Sequence, residues 1–138
     1  MANDTIKDFN SYKQTIEEEL HNSFPEFNIN VFTDLEEGFE LPAIVINKPT
    51  LEPKDFSFQN TGKLKMTMNS NAFIIYSAAD KANEIDCIQA AAQVAKFINL
   101  NRFNEKMPAI VSIIEPVLEE GLENYFIQRI DFSQVIEL

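Results

Sequence analysis

Apolar residues recur at steps of three and four through Ile6, Phe9, Tyr12, Ile16, Leu20 and Phe24. That spacing places them in one arc of a helical wheel and predicts a helix from about Thr5 to Phe24. Thr5 with Asp8 forms a weak capping box, and Pro25 stops the helix by pushing Phe24 out of the helical region. The run Glu17, Glu18, Glu19 falls mostly outside the arc, as a solvated face.

The pattern then shortens. Ile29 and Val31 alternate with Asn28 and Asn30, predicting a strand from Asn28 to Thr33. The continuous run AIVI within Pro42 to Asn47 suits a strand buried on both faces. Between them Asp34, Glu36, Glu37 and Glu40 surround Gly38, and the simple expectation is a hairpin-type acidic loop. Lys48 to Gly62, punctuated by Pro49, Pro53, Asn60 and Gly62, reads as a long loop. Its apolar Leu51, Phe56 and Phe58 either fold back on the core or meet a partner.

From Lys63 one strand register carries Leu64, Met66, Met68, Ala72, Ile74 and Tyr76, while the other is polar until Phe73 and Ile75. The strand should therefore begin with one face wet and end buried on both sides. Ser77 and Asp80 suggest a capping box opening a helix of about 22 residues, roughly 33 Å long. Its core stripe is expected at Ile85, Ile88, Ala91, Ala92, Ala95 and Ile98, opposite Asp86, Gln89, Gln93 and Lys96. After a polar break at Asn101 to Lys106, strands are expected at Ala109 to Ile114 and Tyr125 to Phe132. Glu119, Glu120 and Glu123 around Gly121 make a second acidic segment between them. Val135, Ile136 and Leu138 should pair with the sheet or with a neighbouring subunit, because a free end would expose them. The element order α-β-β-β-α-β-β predicts a single α+β domain. Its sheet is largely antiparallel, with two helices on one face.

Composition adds exclusions. At 138 residues, with 45% hydrophobic residues and twelve Phe, the chain can bury a sizeable core. No apolar run reaches the ~18 residues of a membrane span, and no secretion signal is visible at the start. The single Cys87 suits a cytosolic folding compartment. A net charge of −11 disfavours specific nucleic-acid binding, which draws on clustered Lys and Arg.

Catalytic signatures are missing. The three glycines make no phosphate-cradling loop, and there is no nucleophile elbow. Asp34-x-Glu36-Glu37-Gly38 has its glycine one place early for a calcium loop and lacks the distal Glu. His21 reads as structural, and Cys87 beside Asp86 as a packed thiol rather than a nucleophile. The expectation is no enzyme, no metal and no cofactor.

Several stretches together resemble the tail terminator (tail-completion, head–tail joining) family of Mu-like and related long-tailed phages, also found in prophages and tail-derived particles. They are LPAIVIN at Leu41 to Asn47, NAFIIYSAADKAN at Asn71 to Asn83, NLNRFN at Asn99 to Asn104, IIEP at Ile113 to Pro116 and YFIQRIDFSQVIEL at Tyr125 to Leu138. Phe126 or Phe132 stands where that family commonly carries Trp. The resemblance implies an α/β protomer forming a ring, with a hexamer expected. The ring would cap the last ring of tail-tube subunits and meet the head connector, so the protein would reside in the virion tail after assembly in the host cytoplasm. The acidic residues Asp34, Glu36, Glu37, Glu40, Glu119, Glu120 and Glu123 become candidates for a DNA-repelling lumen wall. Leu51, Phe56, Phe58, Val135, Ile136 and Leu138 become interface candidates. Two rival expectations are an acidic adaptor or DNA-mimic inhibitor, and a small enzyme using carboxylates.

Overall fold

Two strands of thirteen residues form the spine of the sheet in the computed structural model, which describes residues 9–35, 38–53 and 65–137. β4 (Lys65–Ser77) runs antiparallel to β6 (Tyr125–Glu137), with Lys65 opposite Glu137 and Ser77 opposite Tyr125. β1 (Asn28–Val31), β2 (Ala43–Ile46) and β3 (Thr50–Pro53) lie on the β4 side, and β5 (Ile110–Pro116) on the β6 side. α1 (Phe9–Ser23) and α2 (Asn83–Ile98) complete the fold. The strand order is β1-β2-β4-β6-β5, with β3 also paired to β4. The α+β class and the largely antiparallel sheet agree with the sequence reading.

Alternation along the strands divides the core in two. Ile44, Ile46, Met66, Met68, Ala72, Ile74, Ile130, Phe132 and Ile136 point to one face, where Tyr12, Ile16 and Leu20 of α1 meet Cys87, Ala91, Val94 and Ile98 of α2. Each fully buried isoleucine there contributes on the order of 2 kcal/mol. The other face carries a smaller cluster, Ala43, Val45, Phe73, Ile75 and Ile127. Both faces of β4 are therefore buried at its end and only one at its start, as the pattern predicts.

Five differences have local causes. β1 and β2 pair in parallel, not as a hairpin. Parallel neighbours need a crossover, and the connection makes one by laying Leu35, Phe39 and Leu41 against the second face. A hairpin loop would have left those three in water. The expected loop after Lys48 begins as strand β3. Ile46 faces Ala72 and Thr50 faces Asn69, so four residue steps oppose three and one residue bulges between β2 and β3.

α2 starts at Asn83, later than the expected cap, because Ser77 is still paired to Tyr125. The Ser77 Oγ accepts from Ala79 N and the Asp80 Oδ1 from Ala82 N, so both side chains close turns instead of capping the helix. The buried stripe of α2 is Cys87, Ala90, Ala91, Val94, Ala95 and Ile98, while Ile85 and Ile88 are exposed. Small side chains set this phase, because they let the helix backbone approach the sheet closely. Finally, the expected pieces Tyr125 to Phe132 and Val135 to Leu138 are one strand as far as Glu137. The helix start at Thr5, the strand start at Lys63 and the side chains of Phe56, Phe58 and Leu138 lie outside the described residues.

Candidate functional site

The two acidic connections, distant in sequence, meet over the second face of the sheet. From one side come Leu35, Phe39 and Leu41; from the other come Val117, Leu122 and Tyr125, all packed on the Phe73–Ile75–Ile127 cluster. A cleft of about 350 Å³ lies between them, lined by Leu35, Phe39, Ile75, Leu122 and Tyr125 and bordered by Glu119 and Glu120. Burial of the flanking apolar residues thus fixes the backbone while the carboxylates stay in solvent. Asp34, Glu40, Glu119, Glu120 and Glu123 are all exposed. Asp34 pairs with Lys48 at 3.3 Å, and Glu123 accepts from Gly121 N at 3.2 Å, closing a turn in which Gly121 has φ +87°. Glu36 and Glu37 lie outside the described residues.

The 117–123 connection has a second side. Between it and the first half of α2 runs a groove of about 760 Å³, lined by Ile88, Val117, Leu118, Leu122 and Phe126 together with Glu84, Glu119, Glu120 and Glu123. Among the described residues no Lys, Arg or His lines it. Nearby, the Tyr76 hydroxyl is pushed above its ordinary pKa, first by burial and then by the negative charge of Asp86.

Farther along the second face the sheet turns polar. Arg129 pairs with Glu115 and with Asp131, the latter at 3.0 Å, and Asn71 Nδ2 donates to Asp131 Oδ1. These pairs hold β4, β5 and β6 in register but are partly solvated and cross-linked to one another. Among the described residues no group of three His, Cys, Asp or Glu side chains could hold a metal ion. No helix among the described residues is long and apolar enough to cross a membrane.

His21 is exposed in the last turn of α1. Cys87 is buried, its Sγ 3.3 Å from Ile74 O and 3.4 Å from Phe126 O, and burial raises its pKa from 9.0 to about 11. A fold that prefers the neutral thiol keeps this contribution in full below pH 9. It loses about 1.4 kcal/mol per pH unit between 9 and 11. Iodoacetamide labelling of the native protein at pH 8 is therefore expected to be far slower than that of the urea-unfolded chain. Equal rates would contradict a packed thiol.

The interface candidates separate. Ile136 is 1% exposed and belongs to the core, and Val135 is half-buried opposite Thr67. β4 pairs with β6 as far as Glu137, whereas β5 covers its other edge only from Gln128 to Ser133, so the C-terminal strand pairs within its own sheet along β4. Leu51 on β3 remains at the surface, 38% exposed.

A surface that the sequence reading missed lies at β5. Among the described residues nine large hydrophobics are exposed, and all but Leu51 lie on α2 or between Leu100 and Leu118. Among the described residues β5 pairs with β6 alone; Asn99 Oδ1 accepts from Val111 N at 3.1 Å, and Ile110, Ile113 and Ile114 are exposed along the strand. A bulge between Val111 and Ile113 puts Ile113 opposite Asp131 on the polar face and Ile114 opposite Ile130 on the helix face. The signal was the apolar run Ile110-Val111-x-Ile113-Ile114, interrupted only by Ser112. An edge strand covered on one face has no need of it. No family model matches the chain, and no curated protein does.

Proposed function

We propose that the chain is a structural protein of a phage or prophage tail, which assembles as a ring, caps the tail tube and forms the joint to the head connector. The observation that carries this reading is the edge strand β5, which has no strand on its outer side among the described residues and exposes Ile110, Ile113 and Ile114. An exposed apolar edge of this kind is a template for pairing with another chain. Behind it the sheet is braced by two helices, which suits a rigid protomer. The acidic residues Glu40, Glu119, Glu120 and Glu123 lie toward the end of the sheet where β2 and β6 begin, while Asp34, paired with Lys48, lies past the far ends of β1 and β2. Grouped around a ring's inner wall, they would keep passing DNA from adhering, since phosphates are repelled by carboxylates. The stretches from Leu41 to Asn47, Asn71 to Asn83 and Tyr125 to Leu138 add the resemblance to tail terminators. The reading needs no catalytic group, cofactor, membrane or specific nucleic-acid site.

The test mixes the protein with its tail-tube subunit and follows tube growth by negative-stain microscopy. Short tubes bearing a terminal ring are expected. Tubes that grow as long with the protein as without it, and carry no cap, would overturn the proposal.

A further inference from the structure

The groove between α2 and the 117–123 connection joins carboxylates that the ring reading places on the inner wall to an apolar floor that it does not use. Its floor is apolar, from Val117, Leu122 and Phe126, and two exposed side chains stand at its mouth: Ile88 at 47% and Leu118 at 90%. Four carboxylates, Glu84, Glu119, Glu120 and Glu123, line it, with no basic residue among the described ones. Apolar surface beside uncompensated negative charge is matched by an apolar side chain flanked by Lys or Arg. A second copy of this chain is a poor occupant, because its 22 acidic residues outnumber its 11 basic ones. A nucleic acid is worse, since its phosphates would meet the same carboxylates.

We propose that this groove docks a basic, amphipathic peptide segment of a partner protein, with apolar anchors against Ile88, Leu118 and Phe126 and flanking Lys or Arg against Glu84, Glu119, Glu120 and Glu123. The volume of about 760 Å³ has room for more than one anchoring side chain. Carboxylates around the apolar floor steer the segment in and set its specificity, while the anchors supply most of the affinity. The inference does not use the β5 edge, on which ring formation rests, and it shares Glu119, Glu120 and Glu123 with the proposed inner wall.

The test measures fluorescence anisotropy of a labelled amphipathic Leu/Lys peptide with the full chain, against a Leu/Glu peptide of the same pattern. Saturable binding of the Leu/Lys peptide alone is expected. Ile88→Ser or Leu118→Ser should weaken it about tenfold. Glu119→Gln with Glu120→Gln should weaken it and flatten its salt dependence. Both apolar positions are exposed, so circular dichroism should be unchanged. Three results would each overturn the proposal: equal binding of the two peptides, no binding of either, or a loss with Glu17→Gln and Glu18→Gln on α1 as large as with the groove variants. The last would mean diffuse charge attraction and no groove site.

Discussion

Replacing Gln134 by Leu is expected to lower the unfolding free energy by about 3 kcal/mol or more. Gln134 is 2% exposed on a strand whose other inward side chains are apolar. Its Oε1 accepts from Tyr12 Oη at 2.5 Å. Its Nε2 donates to Arg102 O at 2.6 Å and Met107 O at 2.9 Å. One amide thus joins α1, β6 and the turn that leads into β5. Leucine would fill the volume but leave a hydroxyl and two carbonyls short of partners, and each orphan costs about 1–3 kcal/mol. Tyr12→Phe alone removes one bond, and about 1 kcal/mol is expected. Combined with Gln134→Leu it should cost less than the sum, since the hydroxyl is no longer stranded. Urea unfolding of the four proteins measures this. A loss below about 0.5 kcal/mol for Gln134→Leu would mean that water already replaces these bonds.

Gln134 also illustrates why parts of the fold were legible and parts were not. Period and breakers located most of the elements, because Ile, Val and Phe at strand or helix spacing leave few alternatives for burial. The sequence reads Gln134 as one polar residue among alternating ones, since its partners lie 122, 32 and 27 positions away. The phase of α2 failed for a related reason. Ile85 and Ile88 are more apolar than Cys87 and Ala90, but the sheet selects the side that can approach closest, and that side carries the smaller residues. Pairing direction was hidden too. Whether Leu35, Phe39 and Leu41 hang in a hairpin or cross a sheet face depends on a hydrophobic patch supplied mostly by Phe73, Ile75 and Ile127. Surface roles suffer most. By sequence Ile136 is an interface candidate and Ile113 has only a place in a strand, yet Ile136 is at 1% and Ile113 at 46% exposure. Their places in the fold separate them, because Ile136 pairs with Met66 and joins the helix-side core, while Ile113 sits on the polar face of the edge strand β5.

That difference yields the second large effect. Ile110→Lys combined with Ile113→Lys is expected to abolish ring assembly while leaving the fold intact. Both side chains are about half exposed, so their replacement should cost the isolated protomer no more than about 0.5 kcal/mol each. At an interface of roughly 800 Å² per partner, truncating a central apolar anchor commonly costs about 2 kcal/mol, close to a thirtyfold weakening. Lysine on an edge strand adds a charge that must be desolvated when another strand pairs beside it. Leu51→Lys on β3 is the comparison, since it also places a lysine on an exposed apolar position. Sedimentation velocity at low and high salt reads the outcome, with assembly of the parent protein favoured by salt because protomers of charge −11 repel one another. If Leu51→Lys blocks assembly and the β5 pair does not, the contact surface lies at β3. Should both variants assemble as the parent does, neither edge carries the ring.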